Sequence, residues 1–150
     1  MRTAFIATIM FTGGVLFPIT TYSQTMTHVF ETACLSSFPD YQAGAENLRQ
    51  IGFKKQKDGT WRSKEFLVNP SISGSSGKTI CSVMNAVADP ELVIEEFSGV
   101  LTRQRAEKIT VSKTVSGRKA KFDFKLGKKP TTVRIEPFLT KGAFISIYEN

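Results

Sequence analysis

The chain has 150 residues, with 20 basic and 13 acidic side chains, a formal net charge of +7, one histidine and two cysteines. This length suffices for one domain that buries a proper hydrophobic core, so a small fold held together by many disulfides is excluded. His28 is the only histidine, which excludes a histidine-rich metal site. The sequence therefore predicts no metal and no cofactor.

The N-terminal segment has the pattern of a secretory signal peptide. A basic residue, Arg2, precedes an apolar stretch over 4–19 that is interrupted by Pro18 and followed by small residues. The stretch is shorter than the roughly 20 residues of a membrane-spanning helix, although an uncleaved anchor is the alternative. We predict a signal peptide over 1–23 and a single small α+β domain over 24–150, secreted or periplasmic, with no membrane span after cleavage.

Export gives the two cysteines a specific meaning. Cys34 and Cys81 would stay reduced in a cytosol, but thiols oxidise in the compartments that exported proteins reach. We therefore predict a Cys34–Cys81 disulfide, which would contribute about 4 kcal/mol at most in the chain-entropy model. The alternative is a redox-active pair, which is typical of closely spaced C-x-x-C cysteines rather than of these distant ones.

Helical signals dominate the beginning of the predicted mature chain. Apolar residues at helical spacing predict a first helix from about Met26 to Ser36, with Cys34 on its buried face. Asp40 can cap a second helix that ends at Gly52. The Asp58-Gly59 pair then predicts a tight two-residue hairpin turn, with Trp61 as the main apolar anchor of the hairpin.

The middle of the chain alternates between extended and helical patterns. A short strand over 65–68 is followed by a Ser/Gly loop over 71–77, and then by a segment over 78–85 whose pattern favours a strand but also fits a helix face. Asp89 followed by Pro90 is typical of a helix start, and the apolar stripe continues to Leu101.

The last third of the chain predicts a β meander. Strand patterns cover 109–115, 119–126, 131–138 and 143–148, and turn residues separate them. Apolar and charged residues alternate within these strands, so one sheet face should be apolar and the other charged. The predicted fold class is α+β, with about three short helices on one face of a mainly antiparallel sheet, a C-terminal four-strand meander and one disulfide.

Positive charge is concentrated in the same part of the chain. Residues 24–102 hold seven basic and nine acidic side chains, whereas 103–141 hold twelve basic and three acidic ones. Such clustering can concentrate anionic polymers, although it is also typical of an ordinary solvated sheet face. No aromatic residue is expected between these cations, so base stacking is not indicated. The candidate anion-binding residues are Arg118, Lys119, Lys121, Lys125, Lys128, Lys129 and Arg134.

Other motifs give weaker indications of chemistry. Residues 72–79 approach the phosphate-binding pattern G-x-x-x-x-G-K-[ST], but Ile72 stands where the first glycine is required, and a strand rather than a helix is expected to follow. The carboxylates Glu91, Glu95 and Glu96 fall in the opening turns of a helix, where they offset its dipole. We therefore expect neither a nucleotide site nor a catalytic carboxylate pair.

These observations favour an exported, non-catalytic binding or interaction domain whose basic C-terminal sheet face contacts an anionic polymer or an acidic protein. Two alternatives stay open at this point. One is a small exported hydrolase or nuclease whose catalytic groups meet only on folding, and the other is an inhibitor or immunity-like protein that binds one partner. The sequence sets no oligomeric state and shows no family resemblance from which an activity could be transferred.

Overall fold

The computed structural model describes residues 25–73, 79–104 and 112–149. The predicted signal peptide lies outside these residues.

The second helix begins and ends where the sequence predicted. The Asp40 side chain caps its start by accepting a hydrogen bond from the Ala43 N–H at 3.2 Å. Gly52 ends the helical segment with a φ of +88°. The helices are α1 (Met26–Phe30), continued by a π-helical turn (Glu31–Leu35); α2 (Tyr41–Glu46), continued by a 3₁₀ turn (Asn47–Ile51); and α3 (Pro90–Gln104).

Eight antiparallel strands form one sheet in the order β1-β2-β3-β4-β8-β7-β6-β5. The last strand in sequence, β8, lies in the middle, where it pairs with β4 on one side and β7 on the other. The predicted C-terminal meander is therefore present, and it extends the sheet formed by the earlier strands. The strands are β1 (Lys54–Lys55), β2 (Trp61–Arg62), β3 (Phe66–Ser73), β4 (Thr79–Asn85), β5 (Ser112–Ser116), β6 (Lys119–Leu126), β7 (Lys129–Phe138) and β8 (Gly142–Glu149).

Two local predictions are wrong in their details. The hairpin does not close through a two-residue turn, because Lys55 pairs with Trp61 and leaves five residues between the strands. The Asp58 carboxylate folds that loop by accepting the Thr60 N–H at 3.0 Å. The Ser/Gly loop was predicted over 71–77, but β3 continues to Ser73 through a register irregularity between Asn69 and Ile72, and 74–78 lie outside the described residues.

The helices pack on one face of the sheet, as the alternation predicted. Phe30 on α1 meets Phe97 on α3 edge to face at 5.7 Å between ring centroids, and Phe97 meets Phe122 on β6 at 5.1 Å. This chain of rings joins both helices to the sheet, and edge-to-face contacts add to the free energy gained from burial. Trp61 is buried as predicted, under the cations of Arg49 and Lys55.

The predicted disulfide joins the helical layer to the sheet. Cys34 and Cys81 are bonded, with 5.6 Å between their Cα atoms and 47 residues of sequence separation. Both cysteines are fully buried. Cys34 belongs to the π-helical turn after α1, and Cys81 lies on β4 opposite Ile147 of β8. The bridge therefore attaches the first helix to the middle of the sheet.

Replacing both cysteines, as Cys34→Ala with Cys81→Ala, should lower the free energy of unfolding by about 2 to 4 kcal/mol, because a closed loop of this length restricts the unfolded chain. Urea denaturation followed by circular dichroism measures the change. Alkylation of the wild-type protein supplies the control: two labels should attach after reduction and none before. Two labels on the unreduced protein would contradict the bridge.

A close approach between the first two helices depends on Gly44 in α2. A Cβ atom there would lie 2.5 Å from the Ala33 carbonyl oxygen and 2.6 Å from the Ser37 Cβ. Neither contact is tolerable, and the carbonyl belongs to the backbone. The absence of a side chain at Gly44 therefore allows α2 to pack against the turn that carries Cys34.

Gly44→Ala should destabilise the protein by about 1 to 3 kcal/mol, the usual cost of forcing extra volume into a packed contact. Gly99→Ala is a matched control within α3, since a Cβ there meets only the Arg103 Nη1 at 3.7 Å. That change should stabilise the protein by about 0.5 to 1 kcal/mol through helix propensity. Thermal melts of the two variants should therefore shift in opposite directions, and a shared direction would contradict the close packing.

Candidate anion-binding surface

The sheet has an inner face, which the helices cover, and an outer face on the opposite side. On β6 the two faces alternate strictly: Phe122 and Phe124 are buried on the inner face, whereas Lys119, Lys121 and Lys125 are exposed on the outer one. Successive side chains of a strand point to opposite faces, so this alternation fixes which side each residue occupies. The outer face is thus where the predicted cations of β6 lie.

The strand register adds an arginine from the neighbouring strand. Lys121 on β6 pairs directly with Arg134 on β7, and Arg134 is exposed. Lys119 and Lys125 flank Lys121 along the same face of β6. The structure therefore brings four of the seven candidate residues together, and we call this group of Lys119, Lys121, Lys125 and Arg134 the basic cluster.

The other three candidates lie elsewhere. Arg118 is half-buried in the turn between β5 and β6, and Lys128 is exposed in the turn between β6 and β7. Lys129 pairs with Leu126, which places it on the inner side of the sheet, where its Nζ binds the Glu149 carboxylate at 3.0 Å. Lys129 is therefore not part of the basic cluster, and Arg118 and Lys128 lie in the turns at the two ends of β6.

One carboxylate lies within the basic cluster. Asp123 binds the Lys121 Nζ at 2.8 Å and accepts the Thr132 hydroxyl at 2.5 Å. Burial raises the pKa of Asp123, but these two bonds and the positive charges of Lys121 and Arg134 outweigh burial, so the pKa lies below its usual range. Asp123 is therefore a fixed negative charge that orders the cluster and neutralises part of it.

Aromatic side chains lie on the outer face beside the cations, on β8 rather than between the cations of β6 and β7. Ser146 pairs with Arg134, so Phe144 and Tyr148, two residues to either side of Ser146 on β8, share the face of the basic cluster. The Arg134 guanidinium carbon lies 5.3 Å from the centre of the Tyr148 ring, a cation–π distance. The sequence could not show this contact, because it depends on β8 lying beside β7.

Beside the basic cluster, the outer face carries apolar side chains on both sides of a polar row formed by Asn69, Ser82 and Ser146. Leu67 on β3 pairs with Met84 on β4, which pairs with Phe144 on β8, so the three side chains form a row across the strands. All three are half-buried. At the end of this row is a hollow of about 200 Å³. Its lining residues include Arg62, Lys64, Leu67, Met84, Ala86 and Phe138.

Within the described ranges, the phosphate-loop pattern, the single histidine and the glutamates of α3 do not form a site together. Thr79 begins strand β4, so the phosphate-loop pattern is not followed by the helix it needs. His28 is exposed on α1, and Glu96 on α3 accepts the Thr27 hydroxyl at 2.9 Å. In the described part of the chain, no three His, Cys, Asp or Glu side chains are close enough to hold a metal ion.

The described residues also contain no helix long and apolar enough to cross a bilayer. No family model matches the chain, and no similar protein was found among curated proteins or solved structures. The geometry of the outer face is thus the observation from which a function can be argued.

Asp123→Asn should lower the free energy of unfolding by about 1 kcal/mol or less at neutral pH, because it weakens a partly exposed ion pair. A carboxyl group whose pKa is depressed by folding stabilises the protein above its unfolded pKa of about 3.9. That contribution is lost as the pH falls through the lower folded pKa. Urea titrations at several pH values should show the gap between wild type and variant closing below about pH 4. A gap that stays constant on acidification would contradict the depressed pKa.

Proposed function

We propose that this chain is an exported, non-catalytic binding protein whose outer sheet face binds an anionic polymer or an acidic protein. The observation that carries the proposal is the pairing of Lys121 with Arg134 on the face that the helices leave uncovered. Lys119 and Lys125 extend the same group along β6. A partner can therefore reach all four cations of the basic cluster from one side.

The charge balance of this surface supports the proposal. In the described part of the chain, the carboxylates near the basic cluster are Asp123, which is paired with Lys121, and Glu136, which pairs across the strands with Phe144. Exposed cations in excess over carboxylates attract a polyanion over distances comparable with the Debye length, about 10 Å at 0.1 M salt. Binding of this kind weakens steeply as salt rises, because each contact releases a counterion.

The disulfide supports an exported location. A buried Cys34–Cys81 bond is typical of proteins that fold in an oxidising compartment, and it agrees with the N-terminal signal pattern. The bond and the signal pattern together support a proposed location in a periplasm or outside the cell.

The variant that tests the proposal carries Lys119→Glu, Lys121→Glu and Lys125→Glu. Inorganic polyphosphate is a suitable probe of phosphate binding, polyglutamate of carboxylate binding, and calorimetry measures both. The wild-type protein should bind at least one of them, with an affinity that falls about a hundredfold from 50 to 200 mM salt if four contacts form. The triple variant should lose that binding, since it replaces three attractions with repulsions.

Lys57→Glu, Arg103→Glu and Lys141→Glu together form the matched control. The three side chains are exposed and lie in the β1–β2 loop, on α3 and in the β7–β8 loop. The control changes the net charge equally but leaves the basic cluster intact, so it should retain most of the binding. Equal losses in the two triple variants would show that net charge alone is responsible and would contradict a specific surface.

A further inference from the structure

Apolar side chains occupy the part of the outer face beside the basic cluster. The row of Leu67, Met84 and Phe144 runs across β3, β4 and β8, and Ile80 and Tyr148 form a second pair across β4 and β8. A polar row of Asn69, Ser82 and Ser146 separates the two apolar groups. Tyr148 lies against Arg134, so apolar and cationic side chains meet on this face. A partner that carries only charge would leave this apolar area in water.

Two highly exposed apolar side chains lie next to the hollow at the end of the row. Leu139 directly follows Phe138, and Val87 directly follows Ala86, both of which line the hollow. Leu139 is 74% exposed and Val87 is 76% exposed. Leu139 has a φ of +55°, a backbone region that non-glycine residues rarely adopt.

The loop that carries Val87 is held in place by hydrogen bonds. The Asn85 side chain accepts the N–H groups of Val87 and Ala88 at 2.8 and 3.0 Å. The two loops also approach closely, because a Cβ at Gly142 would lie 2.5 Å from the Asn85 carbonyl oxygen and 2.7 Å from that of Phe138. Val87 and Leu139 are therefore presented together at one end of the sheet.

An anion that carries hydrocarbon fits this arrangement of charge and apolar surface. Peripheral membrane binding has the same two components, attraction of Lys and Arg to anionic headgroups and burial of apolar side chains at the interface. A second copy of this chain fits the surface less well. The predicted mature chain carries 19 basic and 13 acidic residues, so two copies with the same net positive charge repel each other.

We propose that the outer face docks on a membrane leaflet that contains anionic lipid. The basic cluster contacts the headgroups, and Leu139 and Val87 enter the interface at the end of the sheet. The described residues supply few carboxylates on this side: Glu65 lines the hollow, Glu136 lies opposite Phe144, and Asp123 is paired with Lys121. This inference rests on the anion binding of the proposed function and goes beyond it, because a lipid leaflet is neither a polymer nor a protein.

Vesicle binding by the exported protein tests the proposal. The processed protein should cosediment with vesicles made of equal parts phosphatidylglycerol and phosphatidylcholine, and should not cosediment with phosphatidylcholine alone. Leu139→Ser and Val87→Ser should each weaken vesicle binding about fivefold, as expected when part of a side chain no longer leaves water. Neither change should alter binding to polyphosphate, which has no hydrocarbon.

Val115→Ser is the matched control. Val115 is 49% exposed on β5, and its pairing with Ala120 places it on the inner side of the sheet, so the change should leave vesicle binding intact. Wild-type binding in Leu139→Ser and Val87→Ser would overturn the lipid inference while leaving the proposed function intact. Equal binding to phosphatidylcholine alone would overturn the role of the headgroup charge. Failure to bind vesicles, polyphosphate and polyglutamate would overturn both proposals.

Discussion

The one-sided attachment of the helices to the sheet is the constraint on which the rest of the structure depends. Cys81 lies on β4, between β3 and β8, so its bond to Cys34 attaches the helical layer to the middle of the sheet. The rings of Phe30, Phe97 and Phe122 continue this attachment toward β6. Because the buried apolar side chains of the helices pack against the inner face, the outer face remains without a helical cover.

The two halves of the outer face differ because the strands that form them differ. β6 alternates cations with buried aromatic residues, so its outer side is basic. β8 has apolar residues on both sides, with Ile145 and Ile147 inside and Phe144 and Tyr148 outside. The central position of β8 therefore sets apolar surface directly beside the cations of β6 and β7. This juxtaposition, rather than net charge alone, distinguishes the surface from an ordinary solvated sheet face.

Local signals allowed much of the fold to be predicted from the sequence. Asp40 and Gly52 mark a helix by capping chemistry, and the period-two alternation of β6 identifies both its conformation and its buried face. Non-local pairing could not be predicted. The position of β8 between β4 and β7 depends on the whole sheet, so the contact of Tyr148 with Arg134 was hidden. Likewise, Lys129 reached the inner side because the Gly127–Lys128 turn pairs it with Leu126.

Methionine oxidation tests the central claim most directly. The predicted mature chain contains two methionines, Met26 and Met84. Met26, the first residue of α1, is 4% exposed, whereas Met84 is half-buried on the outer face. Dilute peroxide followed by mass spectrometry should therefore oxidise Met84 several-fold faster than Met26 while the disulfide stays intact. Equal protection of both sulfurs would show that the outer face is covered, and would contradict the account.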